Sequence, residues 1–252
     1  MKKDFSQLKK DLNEFGIELT AEMEEQFLLY YNMLIEWNSF MNLTAITDFD
    51  EVLKKHFTDS VSLIRAIPDL GEKNYRMIDI GTGAGFPGIP LKIVFPNISV
   101  VLLDSLNKRV NFLKEVISKL QLTDITAVHG RAEDFAQNKE YRESFDLCVS
   151  RAVANLSTLS EYCLPFVKKN GRFISYKSEK VSEEFEISGK AISVLGGEYE
   201  NQVTFELPDS DIYRNLFIIK KKSATPGKYP RKAGLLSLIH ISIFQKQKQL
   251  WM

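Results

Sequence analysis

Residues 77–90 read Met-Ile-Asp-Ile-Gly-Thr-Gly-Ala-Gly-Phe-Pro-Gly-Ile-Pro. A short apolar strand carrying Asp79 runs straight into Gly81, Gly83 and Gly85, and Pro87, Gly88 and Pro90 then open a helix. Glycine accepts positive φ and lets a backbone turn approach a ligand closely, and Pro suits a first helical turn. A bare glycine motif is weak; the strand before it and the helix after it give it weight. A dinucleotide fingerprint counted from Gly81 would need glycine where Phe86 stands. Counted from Gly83 it is met through Gly85 and Gly88, but Gly81 is then unexplained, and Pro87 removes one of the N–H groups a diphosphate wants at a helix N-terminus. S-adenosylmethionine has no phosphate and carries a sulfonium cation, which an acid beside the turn, such as Asp79, suits better. The turn is therefore read as a site for S-adenosylmethionine, and methyl transfer is the expected chemistry.

Other polar residues fall at the ends of apolar runs. Asp104 closes the second run, 25 residues after Asp79. A carboxylate there can accept both ribose hydroxyls, as in dinucleotide folds with an acid ~20 residues on, or it can cap the next helix. After the third run comes Gly130-Arg131-Ala132-Glu133-Asp134, which could hold an adenine amino group or could simply place acids at a helix start. Arg151 follows the fourth run, at the edge where open α/β sheets bind ligands.

These residues need a frame. Phe5, Leu8, Leu12 and Phe15 lie on one helical face, with Gly16 as a stop. Thr20 can cap a second helix with Phe27, Tyr31, Leu34 and Trp37 on its buried face. A third fits from about Asp50 to Ala66, before Pro68. From Arg76 the pattern changes to strands at Met77–Ile80, Ile98–Leu103, Ile125–Val128, Phe145–Val149 and Phe173–Tyr176. They alternate with helices at Ile89–Val94, Lys108–Leu120, Ala132–Gln137 and Leu156–Val167. A helix at Glu183–Leu195 and strands at Glu200–Leu207 and Tyr213–Ile219 follow. The alternation predicts an α/β fold with a doubly wound sheet of about seven strands, mostly parallel with one antiparallel strand near the end. The expected organisation is a helical cap over 1–70, a nucleotide-binding core over 71–222, and a basic segment with an atypical apolar tail over 223–252.

Composition bounds the rest. The 252 residues are 44% apolar and 26% charged, with 33 basic and 33 acidic residues, so global charge argues neither for nor against nucleic acid. Cys148 and Cys163 sit in apolar settings and read as small buried hydrophobes, and scattered histidines make no zinc site. No apolar segment follows the first residues as in a signal peptide, and no run reaches the ~20 apolar residues of a membrane span. The expectations are a cytoplasmic monomer with no metal and no membrane association.

The segment 79–91, Asp-Ile-Gly-Thr-Gly-Ala-Gly-Phe-Pro-Gly-Ile-Pro-Leu, resembles the first motif of the bacterial 16S ribosomal RNA guanine-N7 methyltransferases of the glucose-inhibited division protein B family. Trp37-Asn38 with Asn42-Leu43-Thr44 resembles that family's cap signature. His56-Phe57-x-Asp59-Ser60, Ser105 with Lys108-Arg109, Gly130-Arg131-Ala132-Glu133, Ser150-Arg151-Ala152 and Tyr229-Pro230-Arg231-Lys232 follow in order. The resemblance implies a class I methyltransferase sheet with a helical cap, and transfer to guanine N7 in the decoding region of small-subunit RNA. It implies cofactor contacts at Gly81, Phe86, Ala132, Glu133 and Arg151, to which the turn itself adds Asp79 and Gly83 and position adds Asp104. The partner would be 16S rRNA or the small ribosomal subunit.

Guanine N7 bears a lone pair and no proton, so no general base is assigned. Arg151 and Lys177 are candidates for positioning base or phosphate, and His56 and Asp59 could face the pocket from the cap. Asn38 and Asn42, four apart on one helical face, suit hydrogen bonding within the cap. Lys220, Lys221, Lys222, Lys228, Arg231 and Lys232 come with no acid between residues 220 and 232, which suits phosphate, and Tyr229 offers a stacking face; Lys108 and Arg109 are a second basic pair. The family usually ends in polar residues soon after this point. Here Leu235–Phe244 form an apolar run, read as frameshift or read-through, with a genuine strand or docking segment as the alternative. Two competing classes remain: an NAD-dependent oxidoreductase, disfavoured by Phe86 and by the lack of a catalytic Tyr/Lys or His pair, and a non-catalytic ribosome-assembly RNA-binding factor, disfavoured by retention of the turn and Asp104.

Overall fold

The central strand, β1 (Arg76–Ile80), is buried and apolar beyond its first residue, Arg76, apart from Asp79, and such a strand must be covered on both sides. In the computed structural model, which describes residues 3–151, 154–177 and 182–232, it pairs in parallel with β2 (Ser99–Asp104) and with β4 (Phe145–Ser150), setting Asp79 opposite Leu102 and Val149. The sheet continues through β3 (Ile125–His129) on one side and β5 (Val167–Lys177) on the other. β7 (Tyr213–Lys221) runs antiparallel to both β5 and β6 (Gly197–Glu206). The order is β3-β2-β1-β4-β5-β7-β6, the expected seven strands with a single antiparallel member. The chain steps outward from β1 to β3 and then returns to β4 on β1's other side. The carboxyl ends of β1 and β4 therefore flank a topological switch point, where open α/β sheets bind ligands.

Helices fill both faces. α5 (Gly88–Val94) and α6 (Asn107–Lys119) cover one, and α8 (Leu156–Cys163) and α9 (Ser182–Val194) the other, with the short α7 (Ala132–Phe135) after β3. The N-terminal helices α1 (Ser6–Glu14) and α2 (Ala21–Met41) do not enclose a core of their own. Leu8, Leu12, Phe27 and Leu34 join Met77, Val100, Val149 and Leu216 in one continuous apolar cluster. Thr20 caps α2 by accepting from the Met23 N–H, as its residue type predicts. Asn38 accepts from the Thr44 N–H, a bond inside the cap.

Three boundaries differ from the sequence pattern. The third helix is broken into α3 (Phe49–Val52), a π turn (Leu53–Thr58), α4 (Asp59–Val61) and a 3-10 turn. π turns gather at functional sites, and this one carries His56. The helix expected to reach Val167 ends at Cys163, because Pro165 cannot donate to a continuing helix. β5 starts at Val167 rather than Phe173, with a register shift against β4 that lets it pass Asn170 at positive φ. The apolar run Leu235–Phe244 lies outside the described residues.

One contact ties the cap to the glycine turn. The Tyr30 hydroxyl, fully buried on α2, donates to the Ala84 carbonyl at 2.5 Å. Tyr30→Phe leaves that carbonyl buried without a donor. The expected cost is about 1–3 kcal/mol in urea unfolding; an unchanged midpoint would mean that the turn does not lean on the cap.

Candidate active site

Gly81, Gly83 and Gly85 all have positive φ. Gly85 needs to be glycine twice over: its φ is +101°, and a Cβ would meet Ile89 at 2.5 Å and the Tyr30 hydroxyl at 2.8 Å. The turn is knotted from below by Asp79. Its Oδ2 accepts from the Thr82 hydroxyl at 2.7 Å and from the Gly88 N–H at 2.9 Å, the first turn of α5. Asp79 Oδ1 is buried with no partner. Burial pushes this carboxyl up to about 7, against the lowering effect of its two donors. Asp104 ties the turn from the side. Its Oδ2 accepts from the Gly83 N–H and its Oδ1 from the Leu106 N–H, both at 2.9 Å, with Arg109 at 3.6 Å.

Beside the turn lies a cavity of about 390 Å³, a size suited to a small-molecule ligand. Its lining draws on the ends of β1 to β4 and on α8: Ile80 and Gly81, Ser105 and Leu106, Ala132 and Glu133, Ser150, and Tyr162. Gly81, Ala132 and Glu133 thus meet at one cavity although far apart in sequence, whereas Asp79, Gly83, Phe86, Asp104 and Arg151 stand outside its lining. The sequence does not single out Leu106 or Tyr162: Leu106 is the extended residue just before α6, and Tyr162 sits on α8, where an aromatic residue reads as core.

Arg151, His56 and Asp59 also converge, but behind Phe86. Arg151 Nη1 donates to Asp59 Oδ2 at 2.8 Å, its Nη2 lies 3.3 Å from His56 Nδ1, and its guanidinium stands 5.0 Å from the Phe86 ring centre. His56 stacks on Phe86 at 4.4 Å and meets the Thr44 hydroxyl through Nε2. A fourth residue completes the group. Arg214, at the start of β7, donates from Nε to Asp59 Oδ1 at 2.6 Å. Asp59, 3% exposed, is thus shared by two arginines and holds the cap to the sheet. Arg214 escaped notice because it lies in an ordinary strand pattern; a charged residue at a strand end on the ligand edge is the available signal. Burial, followed by the nearby Arg151 charge, lowers His56 to about 3.

The remaining candidates lie elsewhere. Lys177, at the end of β5, donates to the Ala154 carbonyl and pairs across the sheet with Asn215, whose Oδ1 is buried without a partner. Lys108 is exposed at the start of α6. The basic segment meets acids from other parts of the fold: Lys220 with Glu200, Lys221 with Glu143, Lys222 with Glu198, and Arg231 with Glu161. Lys221 is buried, which lowers it to about 8. Arg231 is held through its backbone N–H and its guanidinium, and Arg142 donates to the Tyr229 carbonyl, so residues 221–231 are strapped against the core. Lys232 is exposed. Both cysteines are free and buried. Among the described residues no helix is long and apolar enough to cross a membrane, and no His, Cys, Asp and Glu group could hold a metal ion.

Known proteins resemble this chain in sequence and in fold. The family model described as rRNA small subunit methyltransferase G matches residues 23–213. A protein of Lachnoclostridium phytofermentans named ribosomal RNA small subunit methyltransferase G is 54% identical, over 92% of this chain and 95% of its own. One of the same name from Acetivibrio thermocellus is 54% identical over 87% of this chain and 89% of its own. Among solved structures, MtNAS in complex with MTA and tNA is similar in fold, with a TM-score of 0.52 and 16% identity over 79% of this chain and 71% of that one.

His56 generates a pH prediction. The folded state keeps it neutral down to about 3, while its ordinary value is 6.5, so the unfolded chain binds the extra proton between those values. The stabilisation is complete above pH 6.5 and is lost as pH falls toward 3. Asp79 runs the opposite way between 3.8 and about 7, so a variant must isolate His56. The urea midpoint of the wild type should fall more between pH 7.5 and pH 5 than that of His56→Gln; equal falls would contradict the assignment.

Proposed function

Because the chain belongs to the rRNA small subunit methyltransferase G family, we propose that it transfers a methyl group from S-adenosylmethionine to N7 of a guanine in the decoding region of 16S rRNA. The observation that carries this is the unpaired, buried Asp79 Oδ1 beneath a glycine turn that opens on a cavity. An unmatched carboxylate in low dielectric wants a cation, and this cofactor brings an ammonium and a sulfonium. NAD offers a ring cation only together with two anionic phosphates, which a carboxylate at the turn disfavours. The turn backbone at Gly81 and Gly83, with Phe86 behind it, would hold the methionine end. Asp104 can accept from the ribose hydroxyls with lone pairs left over after its two backbone bonds. Ala132 and Glu133 would border the adenine.

When bound, S-adenosylmethionine supplies a methyl group on a positively charged sulfur, open to in-line displacement. The chain's residues align the acceptor and exclude water. Guanine N7 has no proton to lose, so none of them need act as a base. Lys177 can donate to guanine O6, and the Asn215 carbonyl beside it can accept from the N1–H or N2–H groups. Arg151, fixed by Asp59 and flanked by Arg214, puts positive charge next to the turn, where it can meet the cofactor carboxylate or an RNA phosphate. His56 holds Arg151 in place. The cap over 1–70 closes the site, the core over 71–222 carries it, and the segment from 223 braces α8, leaving Lys232 with Lys108 and Tyr229 for RNA.

Two outcomes follow. Cofactor affinity should fall several-fold as pH drops from 7.5 to 5.5, since protonated Asp79 no longer attracts a cation; Asp79→Asn should bind weakly with no pH dependence in that range. A wild-type affinity that is flat with pH would remove Asp79 from the site. With labelled cofactor, small subunits lacking the modification should gain label in their RNA, and Asn215→Leu should lower transfer at least ten-fold without changing cofactor affinity. Cofactor binding with no label in RNA would defeat the enzyme assignment.

A further inference from the structure

Helices α2 and α6 run antiparallel. Gln26, early in α2, donates to the Leu120 carbonyl at the end of α6, and the ring of Trp37, late in α2, lies tilted against that of Phe112 with centres 5.5 Å apart. This register carries the last turn of α2, with Phe40, over the first turn of α6, with Lys108. Three rings form a graded series there: Phe112 is fully buried, Trp37 is half-buried, and Phe40 lies 5.4 Å from Trp37 with 66% of its surface exposed. The ring of Phe40 rests against Trp37, which in turn packs on Phe112, and most of it faces solvent. By the antiparallel register the start of α6 faces the end of α2, and there Leu106 is 52% exposed and Lys108 is exposed. Leu106 also lines the cavity, so the α6 end of this patch borders the cavity.

An exposed aromatic face with a cation on the facing helix end matches single-stranded RNA: bases stack on aromatic side chains, and lysine meets the phosphates between them. A protein partner would favour a wider apolar surface than one ring and one leucine flanked by charge. We propose that Phe40, Leu106 and Lys108 form a landing for the substrate strand, in which an unpaired base flanking the target stacks on Phe40 and a phosphate sits at Lys108. Resting on the RNA-methyltransferase reading above, this assigns the strand a path from the cavity across the α2–α6 junction.

The test uses the full chain and unmodified 16S rRNA, free and in small subunits, with binding measured across salt concentrations. Phe40→Ala should weaken RNA binding about ten-fold, raise KM with little change in kcat, and leave the salt slope and cofactor affinity unchanged. Phe40→Tyr should restore binding and Phe40→Leu should not, which separates stacking from simple apolar contact. Lys108→Ala should instead reduce the salt slope by about 0.7–0.9. Wild-type behaviour of Phe40→Ala or Phe40→Leu would overturn the landing while leaving the enzyme reading intact. A defect in Phe40→Ala on assembled subunits but not on free RNA would assign the patch to a ribosomal protein and overturn it as well. A wild-type chain that neither binds nor methylates RNA would remove both.

Discussion

The site depends on a carboxylate placed where it is costly. Asp79 stands in the middle of a buried strand, and one of its oxygens binds both ends of the glycine turn, at Thr82 and at Gly88. It joins the two ends of the turn, while Asp104 and Tyr30 hold its middle. Gly88 is the price of that geometry: a Cβ there would meet Leu102 at 2.3 Å and Asp79 Oδ2 at 3.0 Å. The second oxygen is buried without a partner, and burial raises the group to about 7; under the proposed function that oxygen is the one that faces the cationic cofactor. Fold and function share this one side chain.

A second carboxylate does the corresponding work for the cap. Asp59 sits between Arg151 and Arg214, so the N-terminal helices, β4 and β7 meet at one ion cluster. A buried ion group adds little net stability but fixes geometry, because removing one member leaves the others unpaired. Phe86 lies against this cluster on one side and belongs to the glycine turn on the other. The placement of Arg151 is thereby coupled to the shape of the turn. Tyr30 and Ala84 make a second connection between the same two parts.

The sheet was largely legible from the residues, since alternating apolar runs and helical stretches mark β1 to β7 and their approximate order of use. The glycine turn was legible because its chemistry is local: glycines, a strand acid and a proline within a dozen residues. What could not be read is contact across long separations. Arg214 lies 155 positions from Asp59, and its place at a strand end is the only local mark it carries. The acids that meet Lys220, Lys221 and Lys222 come from β6 and the loop before β4, so a run that looks free for phosphate in the sequence is largely matched in the fold. The π turn around His56 was hidden because a helix and a π turn share nearly the same apolar spacing.

The central claim concerns a single atom of the acceptor. It is tested most directly by treating small subunits that lack the modification with the purified chain and S-adenosylmethionine, digesting the 16S rRNA, and identifying the methylated nucleoside and its position by mass spectrometry. The account predicts 7-methylguanosine at one guanine of the decoding region. Methylation of another atom or another base would contradict it.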